Sequence, residues 1–230
     1  QGDLYGWHRQ FDGRWFLGLW VQSGRVRDEA GQRLKWALRQ VAERFPHVEF
    51  RISANQNVIL ANVPEEDRAA ITTLLKAHGV KVEQQASVLH AASMACPALP
   101  TCGLALAESE RALPGYIDRI EKLGGELGLG GEEIVIRSTG CPNGCARPYM
   151  AEIALVGKAP GRYQLWLGGN AAGTRLNRVY RETVKDVDLE TELRPLLTRR
   201  RDQRTAGERF GDFAARVFWP EAAAAAAATS

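Results

Sequence analysis

The four cysteines of this chain stand in two pairs, Cys96 with Cys102 as C-x5-C and Cys141 with Cys145 as C-x3-C. Four thiolates in such a set take either a zinc ion or an iron–sulfur cluster. Structural zinc knuckles are short in both halves because each wraps one ion tightly, and the Cys96–Cys102 half is more open than that. A cubane cluster accepts ligands from loops farther apart, and glycines beside them let backbone N–H groups approach its sulfides; Gly103, Gly140 and Gly144 hold those positions. Within Cys141-Pro-Asn-Gly-Cys145, Pro142 sets the second position of a turn and Asn143-Gly144 tolerates tight geometry, so both thiols end on one side. Spacing favours a cluster. It leaves open a zinc site, reduced buried cysteines without metal, and a disulfide pair.

The rest of the chain has to position those two segments. With 230 residues, 45% of them hydrophobic, it is long enough for two modest domains. A formal charge of +3 suits an anionic cofactor or substrate and lacks the dense basic stripe of a nucleic-acid binder, so no nucleic-acid partner is expected. No apolar run approaches the roughly 20 residues of a membrane span, and a soluble, cytoplasmic protein without a membrane partner is the expectation. Residues 221–230, with seven consecutive alanines, are set aside as a low-complexity tail.

Residues 1–85 read as an α+β unit. Arg14–Val21 and Arg25–Asp28 are expected to form a hairpin around Ser23-Gly24. Leu34, Ala37, Leu38, Val41, Ala42 and Phe45 recur at helical spacing. Val48–Ser53 alternates like a half-buried strand and Val58–Ala61 follows the polar turn 54–57. Pro64–His78 is a helix with acidic residues in its first turn. Residues 84–95 are small and polar and mark a linker.

Residues 86–220 read as an α/β domain. Helices are predicted over Leu104–Leu113 and Tyr116–Leu127, strands over Glu133–Arg137, Met150–Val156 and Tyr163–Leu167, and a helix from Asp188 to about Gly207. The strand ending at Arg137 delivers the chain into Cys141.

Cys96-x5-Cys102 together with Thr139-Gly-Cys-Pro-Asn-Gly-Cys145 resembles the cluster motif of the sirohaem-dependent sulfite and nitrite reductase family. Ser93-Met-Ala-Cys96, Leu155-Val-Gly-Lys-Ala-Pro-Gly-Arg162, Leu167-Gly-Gly-Asn170 and Phe210-Gly-Asp-Phe213 are similar to its assimilatory sulfite-reducing members, and the likeness covers about residues 1–215. The resemblance implies a ferredoxin-like half-domain in residues 1–85 and a [4Fe-4S] cluster on Cys96, Cys102, Cys141 and Cys145. It further implies that Cys145 is the catalytic member, shared with the sirohaem iron as axial ligand, and that Arg51, Asn55, Gln56, Asn143 and Arg147 contact the sirohaem. Arg137 is a further physically sensible partner for its carboxylates. Arg51 and Arg137 read equally as strand residues with snorkelling side chains, and Asn55, Gln56 and Asn143 as turn formers.

The implied activity is the six-electron reduction of sulfite to sulfide in sulfur assimilation. The implied partners are sulfite, an electron-donor flavoprotein or ferredoxin, and a matching N-terminal half or partner subunit, since the likeness is to the second of the family's two repeated halves. A sirohaem nitrite reductase and a non-enzymatic, metal-stabilised module are the alternatives. His8, His47, His78 and His90 match no ligand spacing, Arg199–Arg201 reads as a solvated helix face, and Lys158–Arg162 reads as a turn.

Overall fold

The computed structural model describes residues 2–83 and 86–220; the alanine-rich tail lies outside the described residues. The chain divides into two compact units, one of residues Gly2–Ala86 and one beginning at Ser87.

In the first unit, β1 (Gly6–Arg9), β2 (Trp15–Leu19), β5 (Glu49–Ile52) and β6 (Val58–Val63) form an antiparallel sheet in the order β1-β2-β6-β5. The helices α1 (Leu34–Arg44) and α2 (Glu65–Ala77) bury Leu34, Ala37, Leu38 and Val41, and Ile71, Leu74 and Leu75, beside Leu17, Leu19, Leu60 and Val63 of the sheet. The expected hairpin is corrected. β2 pairs with β1 across the Asp12-Gly13 turn, whereas Asp28–Glu29 (β3) pairs with Gln32–Arg33 (β4). The alternation in Val48–Ser53 also fails to give a buried face: β5 is an edge strand with every residue exposed, Ile52 at 83%.

In the second unit, α3 (Val88–Ala92) and β7 (Met94–Ala95) occupy residues expected to be linker, and Ser87 caps α3 by accepting from the His90 N–H. The sheet order is β11-β10-β9-β8-β7, built from β8 (Ile136–Thr139), β9 (Ile153–Ala159), β10 (Arg162–Leu167) and β11 (Arg178–Lys185). β7, β8 and β9 run parallel, and β9, β10 and β11 antiparallel. The first five residues of β9 are buried, as expected for a strand covered on both faces.

Residues 104–112 are not helical. α4 (Leu113–Glu126) starts only there, with Pro114 in its first turn, where the missing N–H costs nothing. α5 (Leu189–Gln203) and α6 (Phe210–Phe218) complete the unit, and Ile117, Ile120 and Leu123 of α4 share a core with Leu193, Leu196 and Leu197 of α5 and with Ile136, Ile153 and Leu165 of the sheet.

The Arg199–Arg201 run is not a uniformly solvated face. Arg200 is buried, 3.5 Å from carboxylates of both Glu132 and Glu208. Hydrogen bonds from Arg216, and then from the Thr205 N–H, hold the Glu208 carboxyl down at about 2. Because this folded-state value lies below the ordinary 4.5, the group's stabilisation is complete above about pH 4.5 and fades as pH falls toward 2. Glu208→Gln is therefore expected to lower the urea midpoint at pH 7, with the gap to wild type closing over that acid range. Equal midpoints at pH 7 would contradict the assignment.

Candidate metal centre

The two cysteine segments meet because β7 and β8 are parallel neighbours. Met94 pairs with Arg137 and Ala95 with Ser138, and the Cys96 N–H extends the ladder to Ser138 O at 3.2 Å. Both segments thus leave the sheet at the carboxyl ends of adjacent strands, where α/β sheets place their ligands. Cys96 follows β7 directly and Cys141 follows β8 after Gly140.

Gly140 is the point of convergence. Its N–H donates to the Cys96 sulfur at 3.2 Å, and its carbonyl accepts from Leu106 N–H at 2.8 Å and Ala107 N–H at 3.0 Å. That draws residues 102–107 onto the site and explains why they are not helical. A Cβ at Gly140 would lie 2.6 Å from that of Ala98, so no other residue fits unshifted. Thr139 Oγ1 stands 3.5 Å from the Cys96 sulfur and donates to Cys141 O at 3.3 Å. Met94, Cys96, Ala98 and Ala146 form a small apolar cluster of their own.

All four cysteines are free thiols, which removes the disulfide reading. Cys96 and Cys141 are buried, Cys102 is half-buried and Cys145 is exposed. A tetrahedral zinc about 2.3 Å from each sulfur needs sulfurs about 3.8 Å apart. Among the described residues no three cysteine sulfurs lie within 4.8 Å of one another. The group that does meet that limit is His90, Asp118 and Glu121, where His90 Nε2 is 2.9 Å from Asp118 Oδ1 at an exposed carboxylate.

Beside the thiols stand two guanidinium groups. Arg137 donates to the Arg147 carbonyl at 3.0 Å, and Arg147, in a left-handed conformation, reaches Met94 Sδ at 3.8 Å. Burial first, and then the like charge of Arg147, pull the Arg137 pKa down to about 10. Its Nε is buried without a partner, and among the described residues no carboxylate pairs with it. A desolvated cation of this kind calls for an anion. Asn143 is exposed on the Cys141–Cys145 loop.

The other predicted contacts lie in the first unit. Arg51 is exposed and engages Glu49 at 2.5 Å. Asn55 donates to Asp3 Oδ1 at 3.1 Å, and Gln56 adopts a left-handed conformation at φ 67°. Asn57, not singled out in the sequence, is buried and holds Val21 N–H, Asp3 and Tyr5 together.

Comparison with known proteins adds ancestry to this geometry. Residues 8–78 match the nitrite/sulfite reductase ferredoxin-like half domain. The ferredoxin sulfite reductase of Synechococcus elongatus is 52% identical over 94% of this chain and 34% of its own length. The chain belongs to the nitrite and sulfite reductase family. The NADPH sulfite reductase haemoprotein beta-component of Shewanella sp. strain ANA-3 is 48% identical over 94% of this chain and 38% of its own length. This nitrite and sulfite reductase family chain thus spans little more than a third of the curated relatives it matches. It shares its fold with the Mycobacterium tuberculosis NirA protein structure, at a TM-score of 0.72 and 22% identity over 94% of this chain and 40% of that one.

Gly140, expected from its place beside a cysteine, gives its N–H to the Cys96 sulfur, whereas Thr139 was missed, since its place beside that sulfur depends on the parallel pairing of β7 with β8. Among the described residues no helix is long and apolar enough to cross a membrane.

Proposed function

We propose that this chain is the cluster-bearing part of a sulfite reductase, in which sulfite takes up six electrons and six protons to leave sulfide and three waters. The observation that carries the reading is the parallel pairing of β7 with β8, which brings both cysteine pairs to Gly140, with the Gly140 N–H on the Cys96 sulfur. Cys96, Cys102, Cys141 and Cys145 would hold a [4Fe-4S] cluster, and Arg137 and Arg147, with Asn143, would face the carboxylates of a sirohaem; Arg51, Asn55 and Gln56 of the first unit are proposed as further contacts. When bound, these groups supply the electron-transfer and ligand-activating chemistry that side chains lack.

The chain's own residues do the remaining work. Gly140 N–H places a hydrogen-bond donor on the Cys96 sulfur, which stabilises thiolate charge and tunes the reduction potential of what it ligates. Arg137, short of a counter-ion, offers a charge-assisted anchor. Cys145 is exposed at the end of its loop, where its thiolate would be accessible to a second centre beside the cluster. A matching half and an electron-donor protein complete the enzyme. A reducing, cytoplasmic setting keeps the thiols available.

Anaerobically purified protein should carry about four iron and four acid-labile sulfide per chain with broad visible absorption. Completed with its matching half, it should turn over sulfite in preference to nitrite. One zinc per chain and no iron would sink the reading, and faster nitrite turnover would move it to the nitrite branch.

A further inference from the structure

The tyrosine behind the second cysteine pair is placed in a way that the ligand set does not account for. Tyr149 lies in the short 3-10 turn Pro148–Met150, just past the Cys141–Cys145 loop. Its hydroxyl turns back to donate to Pro142 O at 2.8 Å, inside that loop. Its ring closes under Gly144, whose φ is +71°; a Cβ built there would stand 3.0 Å from Tyr149 Cε2. The loop is therefore gripped at two points between its two thiols.

The tyrosine is itself held from other sides. Trp166 of β10 meets its ring edge-on, with centroids 5.0 Å apart and planes at 69°. The Tyr149 carbonyl accepts from Asn177 N–H at 2.8 Å, and the buried Asn177 amide donates to Pro148 O at 2.7 Å and Ala151 O at 3.0 Å. With its backbone turn held by the buried Asn177 and its ring packed against Trp166, the side chain has less freedom left to lose when it bonds the loop. The exposed Cys145 thiol sits at the far end of the segment so restrained.

We propose that Tyr149 is a positioning residue, a clamp that fixes the Cys141–Cys145 loop before any metal arrives and so sets where the Cys145 sulfur is presented. Its relevance to chemistry rests on the reading of Cys145 as a cluster ligand. The clamp itself does not, because every contact in it is made by the polypeptide.

The test uses the full chain with Tyr149→Phe, which keeps the ring and removes the hydroxyl, and Tyr149→Leu, which removes both. In the metal-free protein, amide exchange across residues 143–145 and the rate of Cys145 alkylation by iodoacetamide are measured, with Cys102 as internal reference. Loss of one hydrogen bond is expected to speed both about threefold to tenfold in Tyr149→Phe. Tyr149→Leu should be faster again, with Cys102 reactivity unchanged and the thermal midpoint of Tyr149→Phe lowered by no more than a few degrees. After reconstitution, iron loss to a chelator should quicken in the same order. Unchanged loop exchange and Cys145 alkylation in Tyr149→Phe would overturn the clamp, as would an equal rise at Cys102, which would mark general loosening. Iron uptake by the wild type judges the cluster reading separately: a loosened loop in a chain that never takes iron leaves the clamp standing and removes the ligand role.

Discussion

Cys96→Ser in the full chain is expected to cut iron from about four per chain to below one while the fold survives. The sulfur of Cys96 is buried and accepts from Gly140 N–H at 3.2 Å, with Thr139 Oγ1 3.5 Å away. A serine hydroxyl accepts from Gly140 N–H as well, so the apoprotein should lose only about 1 kcal/mol or less. It is a poor ligand for iron at neutral pH, because the hydroxyl keeps the proton that a thiol gives up. Cys145→Ser supplies the control for burial. That position is exposed, so its thermal midpoint should match the wild type's, yet iron should fall as far. Paired measurements of iron, acid-labile sulfide and circular dichroism separate ligand loss from unfolding. Retention of four iron by either variant would remove that cysteine from the ligand set.

How much of this was legible beforehand depended on how local each signal was. α1 and α2 could be read because Leu34, Ala37, Leu38 and Val41 repeat at helical spacing and Glu65–Asp67 mark a helix start. The cysteine pairs were legible because their spacing is written in adjacent residues. β11 was not, since Arg178–Lys185 is a charge-rich edge strand with only Val184 buried, and such strands carry little apolar alternation. The false helix at 104–113 had apolar residues at fitting positions. Its backbone N–H groups instead go to Gly140 O and Cys96 O, partners that exist only once the sheet has formed. The same holds for Arg200: a run of three arginines reads as solvent-facing until Glu132 and Glu208 come beside it from distant sequence. The family motif supplied the proposed ligand set, but which sulfur the Gly140 N–H meets, and the tyrosine behind the loop, come from the tertiary structure.

Glu152→Ala is expected to destabilise the second unit by roughly 3–5 kcal/mol, the cost of leaving a charged partner and buried donors unpaired. The Glu152 side chain has no exposed surface. One carboxylate oxygen accepts from Val135 N–H at 2.8 Å and from Arg209 at 2.9 Å; the other accepts from Gly211 N–H at 2.9 Å. Its backbone adds Glu152 N–H to Val135 O at 3.0 Å and Gly168 N–H to Glu152 O at 3.1 Å. The hydrogen bond to Glu152 holds the Arg209 guanidinium above its ordinary pKa, and Glu133 adds to it. One side chain therefore fastens the approach to β8, the end of β10 and the N-terminus of α6, where a negative charge also suits the helix dipole. Since β8 leads through Gly140 to Cys141, loosening at Val135 reaches the ligand loop. Glu152→Gln preserves shape and one acceptor oxygen but not the charge, so it should cost less, about 1–3 kcal/mol. Urea unfolding of the metal-free protein, followed on the transition of the second unit, gives both values, with alanine costing more than glutamine. A glutamine variant as stable as wild type would mean that the charge on Glu152 is dispensable and that packing alone holds α6 against the strands.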